Sequence, residues 1–247
     1  MNPNRLVFTL IFCFIALKNY SQQSIVPKNN IVESKWIHNT NYEMKWTMLR
    51  DTNRLDIGTV KTNVIVSKKD ILVVTAVHLK GATAGWIDST IVKKTDLSPV
   101  YHSSFNAQRD MIIYFGKTIT GYYHDKKTGE KKQISEQVAP GYFDSNFYPM
   151  LINWLPLNLS LKTDIAIFDY NPNGKTGLMK ASILSVAEGV YQSKKIGKRS
   201  AWIVEVKDEI GGANGATSFY YIDKLTRQLY KQEISAGNRK MEMTLLE

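Results

Sequence analysis

From Tyr42 onward, apolar and polar side chains alternate with a period of two, and turn residues break the alternation about every ten residues. A period of two sends successive side chains to opposite faces of a sheet, so one face can be buried and the other wetted. Met44, Trp46 and Met48 alternate with Glu43, Lys45 and Thr47. Strands are expected at 55–66, 71–79, 86–93, 99–105, 111–115, 118–124 and 133–138, with Gly58 as a bulge. They resume at 164–170, 178–190, 201–206, 219–222, 228–234 and 240–246. Short, evenly spaced strands predict a mainly β fold: a curved antiparallel sheet or open β-barrel. No fixed-length repeat suggests a solenoid or propeller.

The pattern breaks once. Phe147, Met150, Leu151 and Trp154 fall at i, i+3, i+4 and i+7, one face of a helix. Asp144–Asn146 offers capping residues, Pro149 suits a first turn and Pro156 is a stop. One short helix of about ten residues is therefore expected to pack on or in the sheet.

The first residues differ from all of this. Arg5 precedes a twelve-residue apolar run, Leu6 to Leu17, and a polar exit from Lys18 to Gln23. This is the layout of a secretory signal, with an apolar run too short to span a bilayer. Residues 1–22 are thus expected to be a signal peptide, and the protein to be exported, periplasmic or secreted. Residues 23–41 read as a polar leader or edge strand, and 42–247 as a single antiparallel β domain. The only cysteine, Cys13, lies in the apolar run, which leaves the mature chain without disulfide, zinc-thiolate or cysteine chemistry.

Removal of Arg5 and Lys18 with the signal takes the formal charge from +10 to +8. Its basic clusters, Lys126–Lys127, Lys131–Lys132, Lys194–Lys195 and Lys198–Arg199, flank Gly129 and Gly197, where turns are expected. Solvated hairpin tips explain them better than nucleic acid, which is not expected as a partner. No second long apolar segment suggests a transmembrane span.

Catalytic patterns are weak. Gly174–Lys175–Thr176 resembles the end of a phosphate loop, but Asp169 stands where that loop needs glycine and a strand follows. Gly211, Gly212 and Gly215 lack a nucleotide-binding spacing and read as a loop. His38, His78, His102 and His124 show no metal-ligand spacing, and Ser103–Ser104 lacks elbow glycines. Asp88, Asp144 and Glu188 could converge in space, although nothing in their spacing requires it. No catalytic residue, metal ligand or cofactor is assigned, and the protein is expected not to be an enzyme. Asp223–Thr226 between Tyr220–Ile222 and Leu229–Lys231 is a local turn whose Asp and Thr bond backbone amides, a structural role.

Leu97–Ser103, Leu155-Pro156-Leu157 and the closing Tyr221–Lys231 hairpin resemble a family of exported bacterial proteins of unknown function. That family is similar in architecture to the LolA- and LolB-like lipoprotein carriers, whose curved antiparallel sheet wraps a helix or lid. The resemblance covers roughly residues 42–246 and implies a concave face able to accept an acyl chain. The expected function is non-catalytic binding of an apolar or amphipathic envelope molecule, a lipid or lipoprotein chain. Its apolar lining would come from Phe143, Phe147, Met150, Leu151 and Trp154, where the helix crosses the concave face. A structural or protein-interaction module of the envelope is the alternative. A hydrolase of envelope polymers is a second, unsupported by any acid, base and nucleophile set.

Overall fold

A computed structural model describes residues 24–29, 31–50, 53–195, 197–210 and 215–247. Residues 1–22, where a signal peptide is expected, and residues 211–214 of the glycine-rich loop lie outside the described residues.

The first arm holds β1 (Thr40–Arg50), β2 (Asn53–Val66), β3 (Asp70–Leu79), β4 (Trp86–Lys93) and β5 (Pro99–Phe105). It continues through β6 (Arg109–Tyr114), β7 (Ile119–Asp125) and β8 (Lys131–Glu136); the two-residue β9 (Phe143–Asp144) comes next in the chain but belongs to the second arm. Helix α1 (Tyr148–Trp154) follows. The second arm holds β10 (Thr163–Asp169), β11 (Gly177–Ser193), β12 (Gly197–Asp208), β13 (Ala216–Asp223), β14 (Leu229–Ala236) and β15 (Arg239–Leu245).

Among the described residues, fifteen strands form one sheet, in the order β8 to β1 followed by β15 to β9. Within β1–β8 and within β9–β15, neighbours in sequence are neighbours in space; β8 and β9 lie at opposite edges, and the two arms join where β1 pairs antiparallel with β15, Met44 opposite Leu245. Every pairing is antiparallel except β9 on β10, and the sheet is not closed by a ladder. This is the mainly β, open-barrel architecture that the period-two pattern predicts. Gly58 does mark a bulge: Trp46 faces Gly58 and Thr47 faces Asp56, leaving Ile57 over. A Cβ at Gly58 would sit 2.1 Å from the His78 carbonyl oxygen, so the site requires glycine.

The helix is shorter than expected, seven residues rather than about ten. Pro149 sits in its first turn, and Leu155, in extended conformation before Pro156, ends it. The expected caps do not cap. Phe147 occupies the cap position with no side-chain bond, because Asp144 has been drawn into β9 and bonds other strands. Nor is α1 amphipathic in its surroundings: Tyr148, Ile152 and Asn153 are buried along with Met150, Leu151 and Trp154. The curled sheet surrounds it, and the main core forms around α1 with Ile71, Ile165, Ile167, Val204 and Tyr220. A smaller core under β6–β8 holds Met111, Ile113, Ile119, Ile134, Tyr142 and Phe168.

The leader is a strap rather than an edge strand. Ile25 makes a single parallel bridge to Ile165, and a 3-10 turn spans Ser34–Trp36.

One turn is built twice. At the β7–β8 tip, Asp125 Oδ1 accepts from the amides of Lys127 (2.8 Å) and Thr128 (3.0 Å), and Thr128 Oγ1 accepts from Glu130 N. At the β13–β14 tip, Asp223 Oδ1 accepts from Leu225 and Thr226 amides (2.7 Å each), and Thr226 Oγ1 accepts from Gln228 N. Each turn then passes through one left-handed residue, Gly129 (φ 77°) and Arg227 (φ 62°) respectively. The expected turn at 223–226 is therefore present with the bonds its side chains imply.

Candidate functional site

The C-terminal end of α1 opens on a cavity of about 350 Å³ at the mouth of the barrel. Helix, strap and sheet all contribute to its lining. Helix α1 supplies Met150, Asn153 and Trp154, the strap supplies Trp36 and His38, the β13–β14 turn supplies Arg227, and β14 supplies Leu229 and Tyr230. The strap is tied down by its backbone, since Glu33 N donates to the Trp154 carbonyl at 2.9 Å. Helix termination at Leu155–Pro156 leaves that carbonyl without an intrahelical partner and so provides the anchor.

Arg227 is the unusual residue of the mouth. Its side chain is only 7% exposed, and Nη2 donates to Glu33 Oε2 at 3.2 Å. The guanidinium carbon lies 5.1 Å from the centre of the Trp36 ring. Nε and Nη1 are buried without a hydrogen-bond partner among the described residues, as is Asn153 Oδ1. Burial lowers the Arg227 pKa from its ordinary value against the opposing pull of Glu33. The Glu33 carboxylate also accepts from Trp36 Nε1 (2.7 Å) and pairs with Lys35 (2.9 Å). Lys35 and then Trp36 hold its pKa below the usual carboxylate value.

A second, polar cavity of about 300 Å³ lies in the wall, lined by Asp88, His102, Arg109, Ser145, Asn146 and Asp169 among others. Beside it Asp144 stitches β9 to the first arm, accepting from Thr90 Oγ1 (2.9 Å) and from His102 Nδ1 (3.0 Å). Burial pulls the His102 pKa down, but the charge and hydrogen bond of Asp144, helped by Asp88, outweigh it and raise the value. His102 Nε2 is buried and unpartnered among the described residues. The nearby serines are engaged elsewhere: Ser104 Oγ accepts from Arg109, and Ser145 Oγ donates to Asp169 at 2.6 Å. Neither serine is hydrogen-bonded to His102, so the nucleophile–base contact of covalent catalysis is not made here.

Of the five apolar residues predicted to line a ligand surface, Met150 and Trp154 border the mouth cavity. Phe143, Phe147 and Leu151 are packed in the main core and border neither cavity. Beneath α1, buried side chains of the helix and the sheet form the main core. Asp88 and Asp144 do converge, both acting on His102, whereas Glu188 pairs with Lys224 at 2.6 Å. Lys126, Lys127, Lys194 and Lys195 are exposed at hairpin tips, as expected. Among the described residues, no group of three or more His, Cys, Asp or Glu is placed to hold a metal ion, and no helix is long and apolar enough to cross a membrane.

Sequence reasoning missed Arg227 and Glu33. They lie 194 residues apart and have no local signal as a pair. The twin turns carried the available clue: the position that is glycine in Asp125–Glu130 is arginine in Asp223–Gln228.

The chain is similar in fold to a β-barrel-like protein of domain of unknown function DUF1849 from Brucella abortus. That match covers 91% of this chain and 97% of the other at 10% identity, with a TM-score of 0.52. A candidate outer membrane lipoprotein-sorting protein domain from Vibrio parahaemolyticus matches over 86% of this chain and 84% of its own. Its identity is 10% and its TM-score of 0.26 is too low to carry an argument. No curated protein matches the sequence. This chain and the Brucella abortus protein thus share a barrel-like fold, and by sequence over residues 41–244 the chain belongs to the DUF3108 family of proteins of unknown function.

Proposed function

We propose that this domain is a non-catalytic binding protein of the cell envelope that takes an amphipathic molecule, a lipid or lipoprotein chain, at the barrel mouth. One observation supports this above the others: the 350 Å³ cavity where Trp36, Met150, Trp154 and Leu229 meet polar groups at one rim. Apolar walls with a few convergent polar groups are the usual make-up of a small-ligand site. The volume fits a head and the first part of a chain, with the remainder lying along the outer surface. Export through residues 1–22 would bring the protein to such ligands.

The test is titration of the mature protein with a neutral amphiphile, dodecyl maltoside below its micelle point, followed by tryptophan fluorescence of Trp36 and Trp154. Saturable binding, weakened by Thr40→Trp at the cavity rim, is the expected result. Absence of saturation, with nothing bound in native mass spectrometry of protein isolated from envelopes, would overturn the reading.

A second reading, an envelope interaction module, draws on the free edge of β8 and on the exposed basic tip at Lys194–Lys195. That edge carries Lys131, Lys132 and Glu136, charges of the kind that discourage indiscriminate strand addition. Retention of a partner from the envelope fraction, lost on Lys194→Glu with Lys195→Glu, would favour it.

A further inference from the structure

Arg227 breaks two rules at once. A non-glycine residue at φ 62° is strained, and the turn of the same design at the β7–β8 tip uses Gly129 at that position. Its guanidinium is then buried against Trp36 with Nε and Nη1 unpartnered among the described residues. A buried donor without an acceptor destabilises a fold, and an arginine cannot shed its charge to escape that cost. Stability alone would favour glycine here, since the turn closes equally well around Gly129. The residue is better explained by what its free donors can bind.

The surroundings identify the chemistry. Arg227 already holds one carboxylate, that of Glu33, with Trp36 Nε1 and Lys35 as additional donors. Ionisable groups facing this point are Lys35 and His38 from the strap and Arg199 from β12, against Glu33 and Asp223. Asp223 is itself occupied by Tyr230, Leu225 and Thr226. Asn153 Oδ1, also unpartnered, adds an acceptor for a hydroxyl carried by the ligand. A planar guanidinium with unused donors suits an oxyanion and not a neutral or cationic head.

We propose that Arg227 is the recognition residue of an oxyanion site at the barrel mouth, taking the carboxylate or phosphate head of an amphiphile, and that Glu33 holds this place until such a head arrives. The inference rests on the reading of the mouth as an amphiphile site and specifies the head group that this site selects. Displacement of Glu33 lifts the Trp36 ring with it, because both belong to the same short strap, and so uncovers Nε and Nη1.

The test uses the mature protein and four probes: dodecyl phosphate, laurate, dodecyl maltoside and inorganic phosphate, each titrated below any micelle point. Wild type should bind dodecyl phosphate and laurate at least about tenfold more tightly than the maltoside, the scale of one charge-assisted hydrogen bond. Arg227→Gly should erase that preference without lowering Tm, since glycine relaxes the backbone. Arg227→Lys should keep part of it. Glu33→Gln should tighten the anionic probes severalfold and leave the maltoside unchanged, whereas Lys126→Gln with Lys127→Gln, at a remote tip, should change nothing. Equal affinity for anionic and neutral probes, unaffected by Arg227→Gly, would overturn the proposal and leave the mouth reading standing. Binding of none of the dodecyl chains would overturn both. Inorganic phosphate binding as tightly as dodecyl phosphate would overturn the amphiphile as the ligand.

Discussion

The β7–β8 and β13–β14 turns have the same sequence design and opposite fates. Each begins Asp-Lys, places Thr fourth and folds its Asp side chain over two amides. The first tip is exposed from Lys126 to Glu130. In the second, Asp223 is 2% exposed, Tyr230 donates to its other carboxylate oxygen, and Arg227 lies under Trp36. Local chemistry therefore determines the shape of a turn, and the elements above it determine what the turn does. One copy is a solvated connection; the other closes the mouth of a barrel.

The most forceful way to break this comparison is to remove the aspartate from each turn. Asp223→Ala deprives two amides and the Tyr230 hydroxyl of their acceptor in a buried setting. The expected cost is about 3 kcal/mol, from the usual penalty for buried unpaired groups. For a domain of this size that is a fall in Tm of roughly 6–12 °C by calorimetry. Asp125→Ala removes the same two amide bonds where water replaces them, and its Tm should fall by much less. Equal losses at the two sites would mean that burial adds nothing to the second turn.

Acid titration sharpens the same contrast. Burial raises the Asp223 pKa, but Tyr230 and the Thr226 and Leu225 amides outweigh it, and the net value lies below the ordinary 3.8. Asp125 is also lowered, chiefly by the Thr128 amide. A carboxylate whose folded pKa is depressed stabilises the fold above its unfolded pKa and loses that contribution as pH falls through the folded value. The Tm gap between wild type and Asp223→Ala should thus be constant well above pH 3.8 and close as pH drops below it. A gap that persists unchanged into strong acid would show that the ionised carboxylate is not what holds the turn.

The difference between the turns also marks what a sequence can disclose. Strands, tips and the Asp223–Thr226 turn are legible because each depends on residues within a few positions of one another. β4 and β5 fall where alternation places them, and Pro149 and Pro156 bracket α1. Contacts between distant segments are not legible. Asp144 reads as a helix cap by its neighbours, yet Thr90 and His102, 54 and 42 residues away, recruit it to a strand. A four-residue apolar face on α1 correctly implies burial, but cannot show that Tyr148, Ile152 and Asn153 are enclosed as well. The mouth cavity is illegible for the same reason, because the strap residue Glu33 meets Arg227 from 194 residues away in sequence.

The gentlest test acts on the left-handed position alone. A Cβ at Gly129 would meet nothing within 4 Å, so Gly129→Ala changes only the backbone preference at φ 77°. It should cost about 1 kcal/mol, the penalty for placing an L-residue in that region, and lower Tm by roughly 2–4 °C. Arg227 bears the same conformational penalty in the native protein, so the size of the Gly129→Ala loss measures what arginine forgoes at its own turn. No loss at Gly129 would mean that this turn geometry is free of strain, and the arginine at 227 would then need no functional explanation.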